Sequence, residues 1–159
     1  MVTYKQVFRT IKKVMTTVEK FQKNKSGTTG SKGNSINPRS GVGMTLAKVD
    51  TLSGVDFELF CGQLLANNGY KVETTKASGD YGADLVLYGN NKKIVVQTKR
   101  YSKNIGVSAV QEIVSAKPMY NADESWVITN QYFTKNAINL ARANNVQLID
   151  RDGLSKMIR

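Results

Sequence analysis

Three observations predict an α/β sandwich with a mixed central sheet. Residues 53–67 carry helical spacing behind a capping pair. Residues 83–99 read as two strands joined through Asn90-Asn91. From residue 107 onward, helical and strand patterns alternate to the end of the chain.

Ser53, with Asp56 three residues on, resembles a capping pair and opens a helix that runs to about Asn67. Phe57, Phe60, Cys61, Leu64 and Leu65 form its buried face. Glu58 stands at the edge of that face, where a carboxylate either points toward a site on the sheet or stays solvated. Gly69 ends the helix, and Tyr70 to Thr75 is the first strand.

The hairpin strands follow at 83–89 and 92–99, with Asn90-Asn91 tolerating the positive φ of a tight turn. A two-residue loop makes paired positions sum to a constant, which sets Asp84 opposite Gln97. Alternation puts Lys99 on the Gln97 face, diagonal to Asp84. One face is then Leu85, Leu87, Ile94, Val96 and Thr98; the other is Asp84, Val86, Val95 and Gln97. Apolar residues on both faces mean a sheet covered twice.

A helix from about Val107 turns Val110, Ile113 and Val114 inward, and Pro118 is expected to end or kink it. Trp126 to Thr129 is the next strand. Thr134 caps a helix burying Ala137, Leu140 and Ala141, with Phe133 and Ile138 spaced as a staple. Asn144-Asn145 ends it, Val146 to Asp150 is the last strand, and 152–158 a short closing helix. Ahead of this body, residues 3–21 place Tyr4, Val7, Ile11, Val14, Val18 and Phe21 on one stripe of a basic amphipathic helix. Residues 22–45 fill with Gly, Ser, Thr, Asn and Lys and read as a flexible linker.

Composition narrows the chemistry. The net charge of +11 is uneven: residues 1–45 hold nine Lys/Arg against Glu19 alone, while the body holds fourteen against eleven acids. A polycationic tail suits an anionic polymer, nucleic acid before a membrane surface, or serves only as a solubilising extension. No apolar run approaches a membrane span and no signal peptide is apparent, so a cytoplasmic setting, bacterial or phage-like, is expected. The basic start also overlaps in composition with organellar transit peptides. With one cysteine and no histidine, a Cys/His zinc site and the His-type triads are excluded. Catalysis must then run on carboxylates, lysine, hydroxyls or a hard metal ion.

An ordered series of motifs carries a resemblance from about Leu52 to the C-terminus. It comprises Gly54-Val55-Asp56-Phe57-Glu58, Gly69-Tyr70-Lys71-Val72, Gly82-Ala83-Asp84-Leu85-Val86, Val96-Gln97-Thr98-Lys99-Arg100, Ala109-Val110-Gln111-Glu112 and Val127-Ile128-Thr129-Asn130 through Phe133-Thr134. This resembles the catalytic core of PD-(D/E)xK nucleases, in the Mrr-like restriction endonuclease branch, which is similar in carrying Gln where most of that superfamily carries Asp or Glu. The resemblance implies a restriction-endonuclease-like αβββαβ core over residues 46–159 and a last turn of the 107 helix running closer to Tyr120.

It also implies a Mg²⁺-dependent DNA endonuclease, with Mn²⁺ as a substitute and no small-molecule cofactor. Asp84 would be the main metal ligand, joined by the Thr98 carbonyl and by Glu58, because Gln97 offers only a neutral amide oxygen. Lys99 would orient the attacking water and stabilise developing charge. The plainer reading of Asp84 and Lys99 is a cross-strand ion pair. Asp80 either serves its turn or assists the metal, and Gln111 either supports the site by a hydrogen bond or lies exposed.

Arg100, Lys103, Thr129 and Asn130 are expected phosphate contacts, and Tyr81 and Tyr101 flank the site as possible base stackers. Many such nucleases cut two strands as homodimers. Reading modified DNA would require a further domain, so weak sequence preference is expected. The alternatives are a non-catalytic DNA-binding module on a nuclease fold, a junction-resolving enzyme, and a tethering protein working through its N-terminal helix.

Overall fold

The structure, a computed structural model, describes residues 44–75 and 81–158. The expected helix at 3–21, nearly all of the expected linker, and Asp80 lie outside them. The elements are α1 (Leu46–Val49), α2 (Gly54–Asn67), β1 (Lys71–Thr74), β2 (Leu85–Gly89), β3 (Lys92–Lys99), α3 (Val107–Met119), β4 (Glu124–Thr129), α4 (Lys135–Ala143), β5 (Val146–Ile149) and α5 (Arg151–Ile158).

The five strands form one mixed sheet in chain order. β1, β2 and β3 pair antiparallel through short connections, while β3, β4 and β5 pair parallel across the helical crossovers α3 and α4. Asn90 and Asn91 both have positive φ, 52° and 58°, and the hairpin register runs from Leu85↔Val96 to Gly89↔Lys92 as the loop arithmetic requires.

Each face of the sheet has its own core. Leu85, Leu87, Ile94, Val96 and Ile128 pack under Phe57, Cys61 and Leu65 of α2, with Val49 and Leu154 beside them. Val86, Val95 and Val127 pack under Ala109, Val110, Ile113 and Ala116 of α3 and Ala137 and Ala141 of α4. The double coverage inferred from the hydrophobic alternation is therefore present, and Cys61 is fully buried.

The caps follow the sequence closely. Ser53 Oγ accepts the Asp56 N–H at 3.1 Å and donates to its carboxylate at 2.7 Å. Thr134 caps α4 through the Ala137 N–H at 3.3 Å. α1 was not expected; it is a single turn capped by Thr45.

Pro118 does not end α3, which runs to Met119 with Tyr120 as its C-cap. Pro118 gives up its own N–H bond, but the Tyr120 N–H still reaches the Ala116 carbonyl at 3.2 Å, so the last turn continues past it.

Candidate active site

The site is assembled at the carboxyl end of β3, where the chain entering β2 crosses it. Antiparallel pairing stops at Leu85↔Val96. One residue earlier, the Asp84 N–H donates to the Val96 carbonyl at 2.8 Å instead of continuing the ladder to Gln97. This one-residue offset resembles a β-bulge, in which two successive residues of one strand face a single partner and turn to the same side.

Asp84 thus leaves the Gln97 face. Its Oδ2 accepts the Thr98 backbone N–H at 2.6 Å and the Thr98 hydroxyl at 2.9 Å. The expected arrangement of Asp84, Gln97 and Lys99 on one face is corrected accordingly: Asp84 stands with Thr98 on the α2 side. Thr98 meets it through its N–H and Oγ1.

Glu58 of α2, half-buried, belongs to the same side. Burial pushes the Cys61 thiol well up, and the negative charges of Asp84 and Glu58 push it further. Both carboxylates therefore act on one buried atom of α2.

Gln97 and Lys99 point the other way, toward α3. The Gln97 amide nitrogen donates to Glu112 Oε2, and the Lys99 ammonium lies 2.9 Å from the same oxygen. Lys99 therefore pairs with Glu112, not in the cross-strand ion pair with Asp84 that was the plainer reading. Burial alone would raise the Glu112 carboxyl, but the hydrogen bonds from Lys99 and Gln97 and the Lys99 charge outweigh it. The group is held below its ordinary range. Gln97 is only 3% exposed, and its Oε1 is buried without a hydrogen-bond partner.

Glu112 is the residue that sequence reasoning missed, by one position. Gln111, the expected support, is exposed on the outer side of α3. The signal was the helical spacing: Glu112 follows Ala109 by three and precedes Ala116 by four, and both alanines are buried.

The expected phosphate contacts divide. Lys103 is exposed, as are Tyr81 and Tyr101 beside the site. Arg100 is half-buried and donates from Nε to the Leu52 carbonyl. Thr129 and Asn130 are 0% and 1% exposed, which removes them from phosphate contact. Thr129 Oγ1 donates to the Lys99 carbonyl at 2.7 Å. The Asn130 amide donates to Asp50 at 2.9 Å, while its Oδ1 accepts the Tyr101 N–H at 3.0 Å. Arg151 then clamps Asp50 with two bonds of 2.8 Å. These residues fasten the strand ends that carry Lys99 and Tyr101.

Among the described residues, no group of three or more His, Cys, Asp or Glu converges as a metal cage. The donors offered by the expected metal ligands are two carboxylates, Asp84 and Glu58, and uncharged oxygens of Thr98. That donor chemistry fits a hard cation that keeps several waters, such as Mg²⁺.

The mixed sheet carries Asp84 and the Gln97-Thr98-Lys99 strand end, the residues on which the restriction endonuclease resemblance rests. The restriction endonuclease family Mrr_cat matches residues 49–158. The chain belongs to that family.

Among solved structures, the DNA modification-dependent restriction endonuclease AspBHI is similar at 13% identity and TM-score 0.54, covering 81% of this chain and 39% of that one. The restriction endonuclease FokI is similar at 16% identity and TM-score 0.50, covering 71% of this chain and 26% of that one. AF1548, a protein of unknown function, is similar at 15% identity and TM-score 0.50, covering 57% of this chain and 54% of that one. At these identities the likeness is one of fold, and the match spans about half of the AF1548 chain and less of the other two. No curated protein matches the chain. Among the described residues, no helix is long and apolar enough to cross a membrane.

Proposed function

We propose that the protein is a Mg²⁺-dependent DNA endonuclease that hydrolyses phosphodiester bonds. The observation that carries this reading is the anchored Asp84–Thr98 contact beside Gln97 and Lys99, in a chain of the restriction endonuclease family.

Asp84 and Glu58, with the Thr98 carbonyl, would hold the ion. When bound, Mg²⁺ supplies positive charge to the phosphate oxygens and acidity to its waters. The chain's own residues do the rest. Thr98 fixes the Asp84 carboxylate in one orientation through two donors on a single oxygen. Lys99 carries donors only, so it brings positive charge to the phosphorane as negative charge grows there. Gln97, held by Glu112 through its amide nitrogen, keeps its oxygen as an acceptor with no donor from the chain. Lys103 and the exposed Tyr81 and Tyr101 supply contacts to backbone and bases, with Arg100 reaching phosphate from its half-buried position. A homodimer would cut both strands, and a DNA substrate sets the enzyme in a cytoplasm.

The test is cleavage of supercoiled plasmid and linear duplex with Mg²⁺, Mn²⁺ or EDTA, alongside an identically purified Asp84→Ala, Lys99→Ala double variant. Metal-dependent nicking that the double variant lacks supports the enzyme. If both proteins shift DNA in a gel and neither cuts modified, unmodified or branched substrates, the chain is a binding module on a nuclease fold.

A further inference from the structure

Glu112 was given no role from the sequence, yet two bonds and one close backbone approach fix it at the site. It holds Gln97 and Lys99 through one oxygen, Oε2. The loop that delivers Asp84 also passes close against it. A Cβ on Gly82 would stand 2.9 Å from the Glu112 Cβ and 3.2 Å from its backbone carbonyl, so only a glycine lets the loop pass there. Gly82 has φ +88°, which glycine alone adopts without strain. One α3 side chain thus joins the loop before Asp84 to the strand that carries Gln97 and Lys99.

The chemistry of the pair sets an orientation. An ionised carboxylate accepts and cannot donate, so Gln97 must turn its NH₂ toward Glu112. Its carbonyl oxygen is then forced away, and that is the buried Oε1 that lacks a partner. An orphaned acceptor is costly unless something with a donor, or a cation, arrives to meet it. The same carboxylate restrains Lys99, a long side chain that would otherwise sample many rotamers.

We propose that Glu112 is a positioning residue of the nuclease site: it fixes the Gln97 amide with its nitrogen toward the carboxylate and its oxygen turned away from it, and it holds the Lys99 ammonium in place. It also returns to this side of the site the negative charge that Gln97 lacks by comparison with a carboxylate. This role rests on the nuclease reading above.

A charge exchange tests it. Gln97→Glu, Glu112→Gln and the two together are made in the full chain and compared with wild type for kcat, KM for plasmid DNA with Mg²⁺, and Tm. Gln97→Glu alone sets two carboxylates against each other with the Lys99 ammonium as the one donor the contact retains. Its kcat should fall about 10- to 100-fold, as when an outer-shell partner is removed, with KM for DNA changed less than about twofold and Tm lowered. Glu112→Gln, which keeps the shape and loses the charge, should lose kcat in the same direction. In the pair, donor and acceptor are exchanged across the same contact. Both Tm and kcat should then recover, kcat by about tenfold over Gln97→Glu.

The role is overturned if an active wild type is matched by Glu112→Gln in kcat, or if the pair is no better than Gln97→Glu. Should Gln97→Glu fail to fold, the isosteric Glu112→Gln still decides the question. A wild type that cuts no DNA removes the nuclease reading itself, a different result from an active wild type indifferent to Glu112.

Discussion

Asp84 Oδ2 accepts both the backbone N–H and the side-chain hydroxyl of Thr98, at 2.6 Å and 2.9 Å. The residue between Gln97 and Lys99 is thereby a donor to the site's aspartate. Removing the hydroxyl alone leaves the backbone bond in place, so Thr98→Val should fold with a Tm near wild type. With one of two anchors gone, the carboxylate becomes less well oriented, and kcat on plasmid DNA should fall about tenfold or more. Unchanged kcat would mean that the hydroxyl contributes nothing to the orientation of Asp84.

Gly82 makes a sharper demand. Its φ of +88° disfavours any L side chain, and a Cβ would press on Glu112 at 2.9 Å. Gly82→Ala should cost about 1–3 kcal/mol in a urea melt. It should also reduce cleavage, because the loop bearing Asp84 and the residue holding Lys99 are pushed apart together. A variant as stable and active as wild type would show that the loop and α3 separate freely.

The fold was legible because it rests on local rules: capping at Ser53 and Thr134, the Asn90-Asn91 turn, and alternation in β2 and β3. The site was legible only in part. Loop arithmetic put Asp84 opposite Gln97, but a backbone bond from Asp84 to Val96 shifts the pairing by one residue, and such an offset leaves no mark in residue type. Glu112 was hidden because a charged residue flanked by buried alanines reads as a helix edge until its partners on β3 are known. Thr129 and Asn130 sit at a strand end as expected. Their burial depends on Asp50 and Arg151, whose distance along the chain put that contact beyond any local pattern.

Asp50 gives the fold a dependence on acid. The hydrogen bonds from Arg151, the largest cause, and from Asn130 outweigh burial and hold its carboxyl below the ordinary range. A carboxyl depressed on folding contributes stability that is present above its unfolded pKa, about 4, and lost as pH falls through the folded value. The pair is partly exposed, so Asp50→Asn should cost only about 1 kcal/mol at pH 7. The deficit should shrink below about pH 4 and vanish once the wild-type carboxyl is protonated. Urea melts of both proteins from pH 7 to pH 2.5 measure it, and a constant difference across that range would assign the loss to packing instead of charge.

The basic tail separates affinity from chemistry. Residues 1–43 carry nine Lys/Arg and one glutamate, whereas Met44 packs on the α2-side core and Thr45 caps α1. Deleting 1–43 therefore removes most of the net charge and leaves the folded body its first cap. Each phosphate neutralised by a cation contributes about −0.9 to the slope of log K against log salt on duplex DNA. The truncated protein should bind DNA more weakly at low salt and with a flatter slope, measured by fluorescence anisotropy from 50 to 300 mM KCl in EDTA. Its kcat at saturating DNA should change little, because Asp84, Gln97, Lys99 and Glu112 all lie in the retained body. An unchanged slope would mean that the tail does not touch DNA, and a collapsed kcat with a normal Tm would mean that it takes part in the reaction.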